Sequence, residues 1–461
     1  MRLVAKISAV ALVAVMSTSF VSLVHAESLA GALLEAYRKN PTLNSARAGQ
    51  RAVDEAVPQA LSGWRPTVTA TGSVSAEDSY AGSQLGGYTS TKGTSENLSI
   101  KLDQPLFRGF RTTESTAAAE ATVKAGRQQL LSTEQNVLLL AVKAYVDVIR
   151  DRQIVALRRQ NLGVLQGQSR ATSERFKAGE LTRTDTAQAQ AGVASAQAQL
   201  QLAIANMQTS EASFAQYVGH HPTQLSPAPA AKPPRSLDEA YSVAHETNPQ
   251  ILAAAQSAVA ADHNVGVVGS SLLPQADLVG SYSITSNQFT TNGLGNDGSA
   301  STGTISGVVT VPIYEQGLVY SQVRAAKQRA SQSRIAVIDA TRQVRQAVAA
   351  SWASYAAARQ ASASNAQSVS ASQLAYSGVR QEYQVGSRST IDVLNAELTL
   401  LTAQIAQVSA QHDQILASYQ LQAAIGHLTG DHLRLFPVYD AKQNYEEVRN
   451  KWAGTKADTL Q

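Results

Sequence analysis

The chain contains no cysteine among its 461 residues. That excludes a disulfide framework and a lipid anchor on an N-terminal cysteine. Aromatic residues make up only 5%, too few to fill an ordinary globular core, which relies on large buried rings. Charge of one sign is not in excess: the formal net charge is +4, too slight to imply a nucleic-acid partner. Long hydrophobic runs are missing as well. Beyond residue 26 no stretch of about 18 apolar residues occurs, and the nearest candidate, Val137 to Ile149, is interrupted by Lys143 and Asp147. Any crossing of a bilayer by the mature chain therefore falls to strands. Proline is absent from Thr113 to Ala178, which permits one very long helix.

What is present begins with a secretory leader over residues 1–26. Arg2 and Lys6 form a positive end, Ile7 to Val15 is mostly apolar, and Val24-His25-Ala26 supplies small residues at the positions a signal peptidase needs. After it the chain is written twice. Ser28-Leu29, Asn40-Pro41 and Pro66 return as Ser236-Leu237, Asn248-Pro249 and Pro274 (248 − 40 = 208). Phe176-x-x-Gly179, Asp185 and Gly219-His220 return as Tyr383-x-x-Gly386, Asp392 and Gly426-His427 (383 − 176 = 207). A repeat that holds register within one residue predicts two structurally equivalent halves. The expected divisions are a first repeat over 27–225, a Pro-rich linker at 226–235, a second repeat over 236–433 and a charged tail over 434–461, partly disordered or lying against the outside.

Within each repeat, residues 28–62 and their counterparts read as helix, with Ser28 as N-cap. After Pro66 the period changes to two: Val68, Ala70, Gly72, Val74 and Ala76 share one face, with Thr and Ser on the other. Leu98, Ile100 and Leu102 repeat the pattern up to Pro105, and Asp78 to Glu96 between them reads as a loop. The second copy gives strands through Ala276–Ile284 and Ile305–Val311. Strands of roughly ten residues suit a tilted crossing of the hydrocarbon. Helix then follows at length, about Thr113 to Ala178 and Leu318 to Val385, each roughly 100 Å at 1.5 Å per residue. Gly179 and Gly386 end these rods, and helices return over Thr182–Val218 and Ser389–Ile425. The returning helices are about half as long, so the short helix that opens each copy is expected to stack on them end to end.

Four amphipathic strands cannot seal a pore, because open edges in hydrocarbon leave backbone groups unsatisfied. Eight, twelve or sixteen strands would correspond to two, three or four chains. The Thr, Ser, Lys and Asp faces imply a wet lumen, which the helices would prolong into the periplasm.

The order of these pieces, with Gln104-Pro105-Leu106-Phe107 and Val311-Pro312-Ile313-Tyr314 after the strands, resembles the TolC family of outer-membrane efflux proteins over roughly residues 28 to 433. The tip segments carry the likeness most sharply: Phe176-x-x-Gly179 with Thr184-Asp185, and Tyr383-Gln-Val-Gly386-Ser-Arg388 with Asp392-Val-Leu. The resemblance implies a mainly α protein with transmembrane β structure: a homotrimer sharing a twelve-strand β-barrel in the outer membrane lipid above a twelve-helix periplasmic α-barrel. It implies an exit duct for drugs or secreted proteins, recruited by a periplasmic adaptor and an inner-membrane transporter, with no catalytic residues, cofactor or metal. It also implies a gate lock in which Asp185 accepts from Tyr383 and Arg388 bonds the segment at Thr184. The entrance constriction falls at Asp392 and position 395. Two carboxylates are expected there, but this chain has Asn395, so one ring is neutral. The tips Gly179-Glu180-Leu181 and Val385-Gly386-Ser387 become the adaptor docking surface.

Other signals carry less. Gly293-x-Gly295-x-x-Gly298 matches a dinucleotide fingerprint by letters but lies in a loop between strands with no helix after it. His220-His221 lacks nearby partners for a metal. The rival reading, a periplasmic adaptor with coiled-coil hairpins, would show one hairpin flanked by small β domains and not two copies with paired strands.

Overall fold

The computed structural model describes residues 26–82 and 87–455. All but Ala26 of the expected leader, and the last residues of the tail, lie outside that range. The first copy consists of α1 (Leu29–Lys39), α2 (Pro41–Asp54), α3 (Ala56–Leu61), β1 (Thr67–Gly82), β2 (Tyr88–Arg108), α4 (Arg111–Lys177) and α5 (Arg183–Val218). The second consists of α6 (Leu237–Thr247), α7 (Pro249–Gly269), β3 (Gln275–Thr291), β4 (Leu294–Thr310), α8 (Leu318–Gln384) and α9 (Thr390–Ala424), and a short α10 (Gln443–Val448) closes the described chain. Helices α4 and α8 have 67 residues each, rods of roughly 100 Å.

The expected helix over 28–62 is broken at Asn40, and the break joins two columns. Asn40 caps α2 by accepting from Thr42 N at 3.0 Å, with Pro41 at the first helical position. The same amide donates from Nδ2 to Tyr217 O, a carbonyl left open at the end of α5, at 3.1 Å. The second copy repeats the joint: Asn248 accepts from Gln250 N at 2.9 Å and donates to Ala424 O at the end of α9, also at 2.9 Å. One side chain therefore satisfies the start of one helix and the finish of another, and stacks them end to end with their dipoles aligned.

The strands form one antiparallel sheet in the order β1-β2-β3-β4. They run further than their apolar stretches. The region 78–96 read as a loop is mostly strand, with Asp78 paired to Lys92 and Ser75 to Ser95. Beyond the hydrocarbon nothing demands an apolar face, so the alternation fades while the ladder continues; 21 residues of β2 reach roughly 70 Å. The second hairpin turns on Asn292-Gly293 with φ of 52° and 81°, a two-residue connection whose positive φ values match the strand twist. Gly295 and Gly298, read as loop, consequently lie in β4, paired to Thr290 and Asn287. Pro105 does not close β2: the strand continues to Arg108 through a bulge between Pro105 and Phe107, where a missing N–H is tolerated.

At mid-height a collar wraps α4. Leu138, Tyr145, Val148, Tyr37, Leu43 and Phe214 are buried there in one cluster. The linker is pinned across it: Tyr145 Oη lies 2.7 Å from the carbonyls of both Glu27 and Ser226, and Ala231 N donates to Ser418 Oγ at 2.9 Å. The described tail lies along the outside. Arg38 donates to Phe436 O at 2.8 Å, Tyr439 N to Tyr37 Oη at 2.9 Å, and Asn444 to Asp54 Oδ2 at 2.9 Å.

An ion cluster ties α4 to α9 in the same collar. His412 Nε2 and Arg150 Nη1 lie 2.8 and 2.9 Å from Asp147 Oδ1, and Lys143 Nζ lies 2.6 Å from Oδ2. Burial disfavours the charge on Asp147, but the hydrogen bonds from His412 and Lys143 and the nearby Arg150 outweigh it and hold the carboxyl at about 2.

Two outcomes follow. Asn40→Asp keeps the cap acceptor but removes the donor and sets a charge against Tyr217 O. Hydrogen exchange should show a loosened last turn of α5, by about 1–2 kcal/mol, while the N-terminus of α2 stays protected. Because the carboxyl of Asp147 lies below its ordinary value, its contribution is present above that value and is lost as pH falls from about 4 through about 2. Helical circular dichroism across that window should show a shallower acid dependence in Asp147→Asn, from a lower starting stability.

Candidate functional site at the free ends of the helical hairpins

The sheet occupies one end of the molecule and the α4–α5 and α8–α9 turns the other. Both turns are built identically. Gly179 and Gly386 take φ of 80° and 82°, a conformation only glycine adopts without strain. Gly179 N donates to Phe176 O at 2.9 Å and Glu180 N to Arg175 O at 2.9 Å. Gly386 N donates to Tyr383 O at 3.0 Å and Ser387 N to Glu382 O at 2.9 Å. These are Schellman pairs that close each long helix. Open space surrounds both glycines. Glu180, Val385 and Ser387 are exposed and Leu181 half-buried, so the six predicted docking residues form the outermost surface of this end.

A reciprocal capping box starts each return helix. Asp185 Oδ2 accepts from Thr182 N at 2.9 Å and from Thr182 Oγ1 at 2.7 Å, while Asp185 N donates to Thr182 Oγ1 at 3.2 Å. Asp392 Oδ2 accepts from Ser389 N at 2.9 Å and Ser389 Oγ at 2.6 Å. These bonds from the cap residue favour the charged form and lower the pKa of both carboxyls.

The predicted lock is therefore not assembled inside one chain. Among the described residues Asp185 is engaged by its own cap, not by Tyr383. The Tyr383 hydroxyl instead accepts from Arg175 Nη1 at 3.0 Å and Gln168 Nε2 at 3.3 Å, and the guanidinium carbon of Arg175 sits 5.5 Å from the ring centroid. Nor does Arg388 reach Thr184: it donates from Nε to Glu382 Oε2 at 2.7 Å. Local pairing wins at Asp185 and Arg388, whose partners lie within two helical turns, whereas Tyr383 is held across the helix–helix contact by α4. Thr184 is exposed. Asp392 is half-buried and Asn395 exposed on one face of α9, opposite the buried Val393 and Glu397. Arg175, Gln168 and Glu382 had not been singled out from sequence. The available signal was spacing, since Gln168 and Arg175 are seven apart and share a face of α4.

The geometry has known counterparts. The family model described as "Outer membrane efflux protein" matches residues 32–220 and 240–427, one match per copy. The chain belongs to the outer membrane efflux protein family. It is 41% identical to the outer membrane efflux protein BepC of Brucella suis over 93% of this chain and 92% of the relative. It is 24% identical to the outer membrane protein TolC of Escherichia coli over 89% of this chain and 84% of that one. Among solved structures, the Campylobacter jejuni CmeC outer membrane channel superposes with a TM-score of 0.75 at 16% identity, covering 92% of this chain and 89% of CmeC. The open state of the Neisseria gonorrhoeae MtrE channel gives 0.67 at 22% identity, covering 88% and 90%.

As an efflux protein the chain is an outer-membrane channel that extends into the periplasm and forms the exit duct of an efflux pump. Members of the family are homotrimers that pair with periplasmic adaptors and inner-membrane pumps. Its own sheet fits that arrangement, because β1 and β4 each keep one unpaired edge.

The capping boxes make a local prediction. Thr182→Ala should fray the first turn of α5 by about 1 kcal/mol, read as faster amide exchange there, with the matching turn of α9 unaffected.

Proposed function

We propose that this chain forms a passive duct with no chemical step of its own, shut at the helix tips and opened when an adaptor seats on them. The observation that carries the reading is the pair of free sheet edges. An exposed ladder in hydrocarbon is tolerable only if β4 of one copy pairs with β1 of the next, and in the order β1-β2-β3-β4 those two edges are antiparallel. Closure of the ring fixes the α-barrel beneath it, and the hairpin tips converge at its far end. In that setting Thr184, Asp185, Tyr383 and Arg388 sit where neighbouring hairpins meet. The second carboxylate oxygen of Asp185 is free of its cap and available to a donor from the next copy. Gly179, Glu180, Leu181, Val385, Gly386 and Ser387 form the docking face for the adaptor. Substrate choice belongs to the pump, since a wall of Ser, Thr and Gln discriminates little among drugs, toxic compounds or secreted proteins.

The purified chain in detergent should run as a heat-labile trimer and conduct ions in planar bilayers. Tyr383→Phe with Arg388→Ser should raise conductance. A monomer that stays in water without detergent contradicts the proposal.

Position 395 sets the selectivity of the entrance. With Asp392 as the single carboxylate of that helix face, the constriction carries one anionic ring per trimer. Asn395→Asp should strengthen cation selectivity and block by trivalent cations, and Asp392→Asn should weaken both, read from reversal potentials in a salt gradient.

A further inference from the structure

We propose that the groove between α7 and α8, on the outside of the duct below the sheet, docks an acidic peptide segment of a partner protein. The occupant lays a carboxylate on Lys327 and an apolar side chain against Val259 and Ile338, much as α10 lies across α2 and α4. The site is remote from the helix tips. Lys327 and the last residue of α8, Gln384, are 57 residues apart (384 − 327 = 57), roughly 85 Å along one rod. It therefore stands whether or not the tips gate the channel.

The internal duplication points to the site. In the first copy the tail fills the groove between α2 and α4. Arg449 Nη2 donates to Glu120 Oε1 at 2.9 Å, and Asn444 Nδ2 donates to Asp54 Oδ2 at 2.9 Å. The guanidinium carbon of Arg127 lies 4.9 Å from the ring centroid of Tyr445. The offsets of 208 and 207 carry Asp54, Glu120 and Arg127 onto Asp262, Lys327 and Arg334. The chain thus has two equivalent grooves on one face and a single tail to fill them. Among the described residues the second groove stays open, as a cavity of about 530 Å³ lined by Asp262, Val265, Lys327 and Arg334.

The two grooves select opposite charges. Glu120 takes a guanidinium, whereas the exposed Lys327 at the same place suits a carboxylate. Arg334 is occupied, donating from Nη2 to Asp262 Oδ1 at 2.7 Å, so Lys327 is the charge that faces a partner. Arg324, one turn above and also exposed, adds to it where the first copy has Ala117. One turn toward the collar, Val259 and Ile338 are 43% and 53% exposed. They stand three residues from Asp262 and four from Arg334, and so share the faces that line the groove. α10 likewise buries one apolar side chain of its own, Val448. A lipid headgroup is the poorer match. Lys327 lies nine residues beyond the start of α8, about 14 Å farther from the sheet, deeper than the headgroup layer of roughly 5–7 Å.

The test uses full-length trimers in detergent, each variant first shown to remain heat-labile as a trimer. The probe is a fluorescent peptide with the sequence of residues 440–455, made in its native form and with Arg449→Glu. That change puts a carboxylate where α10 carries its guanidinium. The Arg449→Glu peptide should bind the native trimer at one site per chain. It should bind Lys327→Glu about tenfold more weakly or worse, since an attraction becomes a like-charge contact. The fold tolerates Lys327→Glu, because Glu120 occupies the equivalent position. The native peptide should show the reverse order, preferring Lys327→Glu. Arg329→Glu, two residues on and therefore on another face of α8, should change neither. Equal binding of the Arg449→Glu peptide to the native, Lys327→Glu and Arg329→Glu trimers, or no binding to any, overturns the site. If peptidoglycan sacculi or phosphatidylglycerol vesicles bind through Lys327 and neither peptide does, the groove takes a polymer or a lipid and the peptide assignment falls.

Discussion

The structure depends on backbone groups that hydrocarbon does not allow to remain open. Each chain supplies a four-stranded sheet with a bare ladder on both flanks, and several kcal/mol per unsatisfied group make that arrangement untenable in a bilayer. The same requirement explains why so much of the isolated chain is exposed. In β4 Ile305 and Val309 are 82% and 68% exposed, and α8 buries only Val319, Ala326, Ala330, Val344 and Val348 of its 67 residues. The chain is finished by its copies. Small side chains along the rods let those copies approach closely, which accounts for the scarcity of aromatics better than any single-domain core does.

Duplication supplies the scaffold for closure, and two devices keep its parts in step. The Asn-Pro joints splice a short helix to each returning helix, so both columns of a hairpin match in height. The collar then fixes that height: the linker, the tail, and the Asp147–His412 cluster all meet around the middle of α4. His412 is the member of that cluster supplied by α9, so sliding one helix by a turn would break its buried bond to Asp147, which makes the contact a marker of register.

Much of this was legible in sequence because it follows period and punctuation. The long rods, their glycine stops and the return helices fall within two residues of the expected positions, since nothing competes with a proline-free helical stretch. Strand extent was less legible. Alternation reports contact with lipid, not pairing, so the polar continuation of β1 and β2 looked like a loop, and Asn292-Gly293 was masked by the glycines that follow it. Pro105 looked like a terminator because a bulge opposite Ala276 is a property of two strands. The tail was left open because its contacts, Arg38 with Phe436 and Asp54 with Asn444, span nearly the whole chain. The contacts at the helical tips were the hardest. A family pattern pointed to Asp185 and Tyr383, yet the partners of Tyr383 come from α4, at a sequence distance no local rule reaches.

The tips combine two symmetries. Each chain has two turns of one geometry, so a trimer offers six almost equivalent Schellman turns to the periplasm. The contacts packed behind the turns are not duplicated: Tyr383 has Phe176 as its counterpart, so its bonds with Arg175 and Gln168 occur once per chain. The duplication therefore preserves the backbone shape of the turn at Gly179 and Gly386, while side chains such as Arg175 and Glu382 have diverged between the copies.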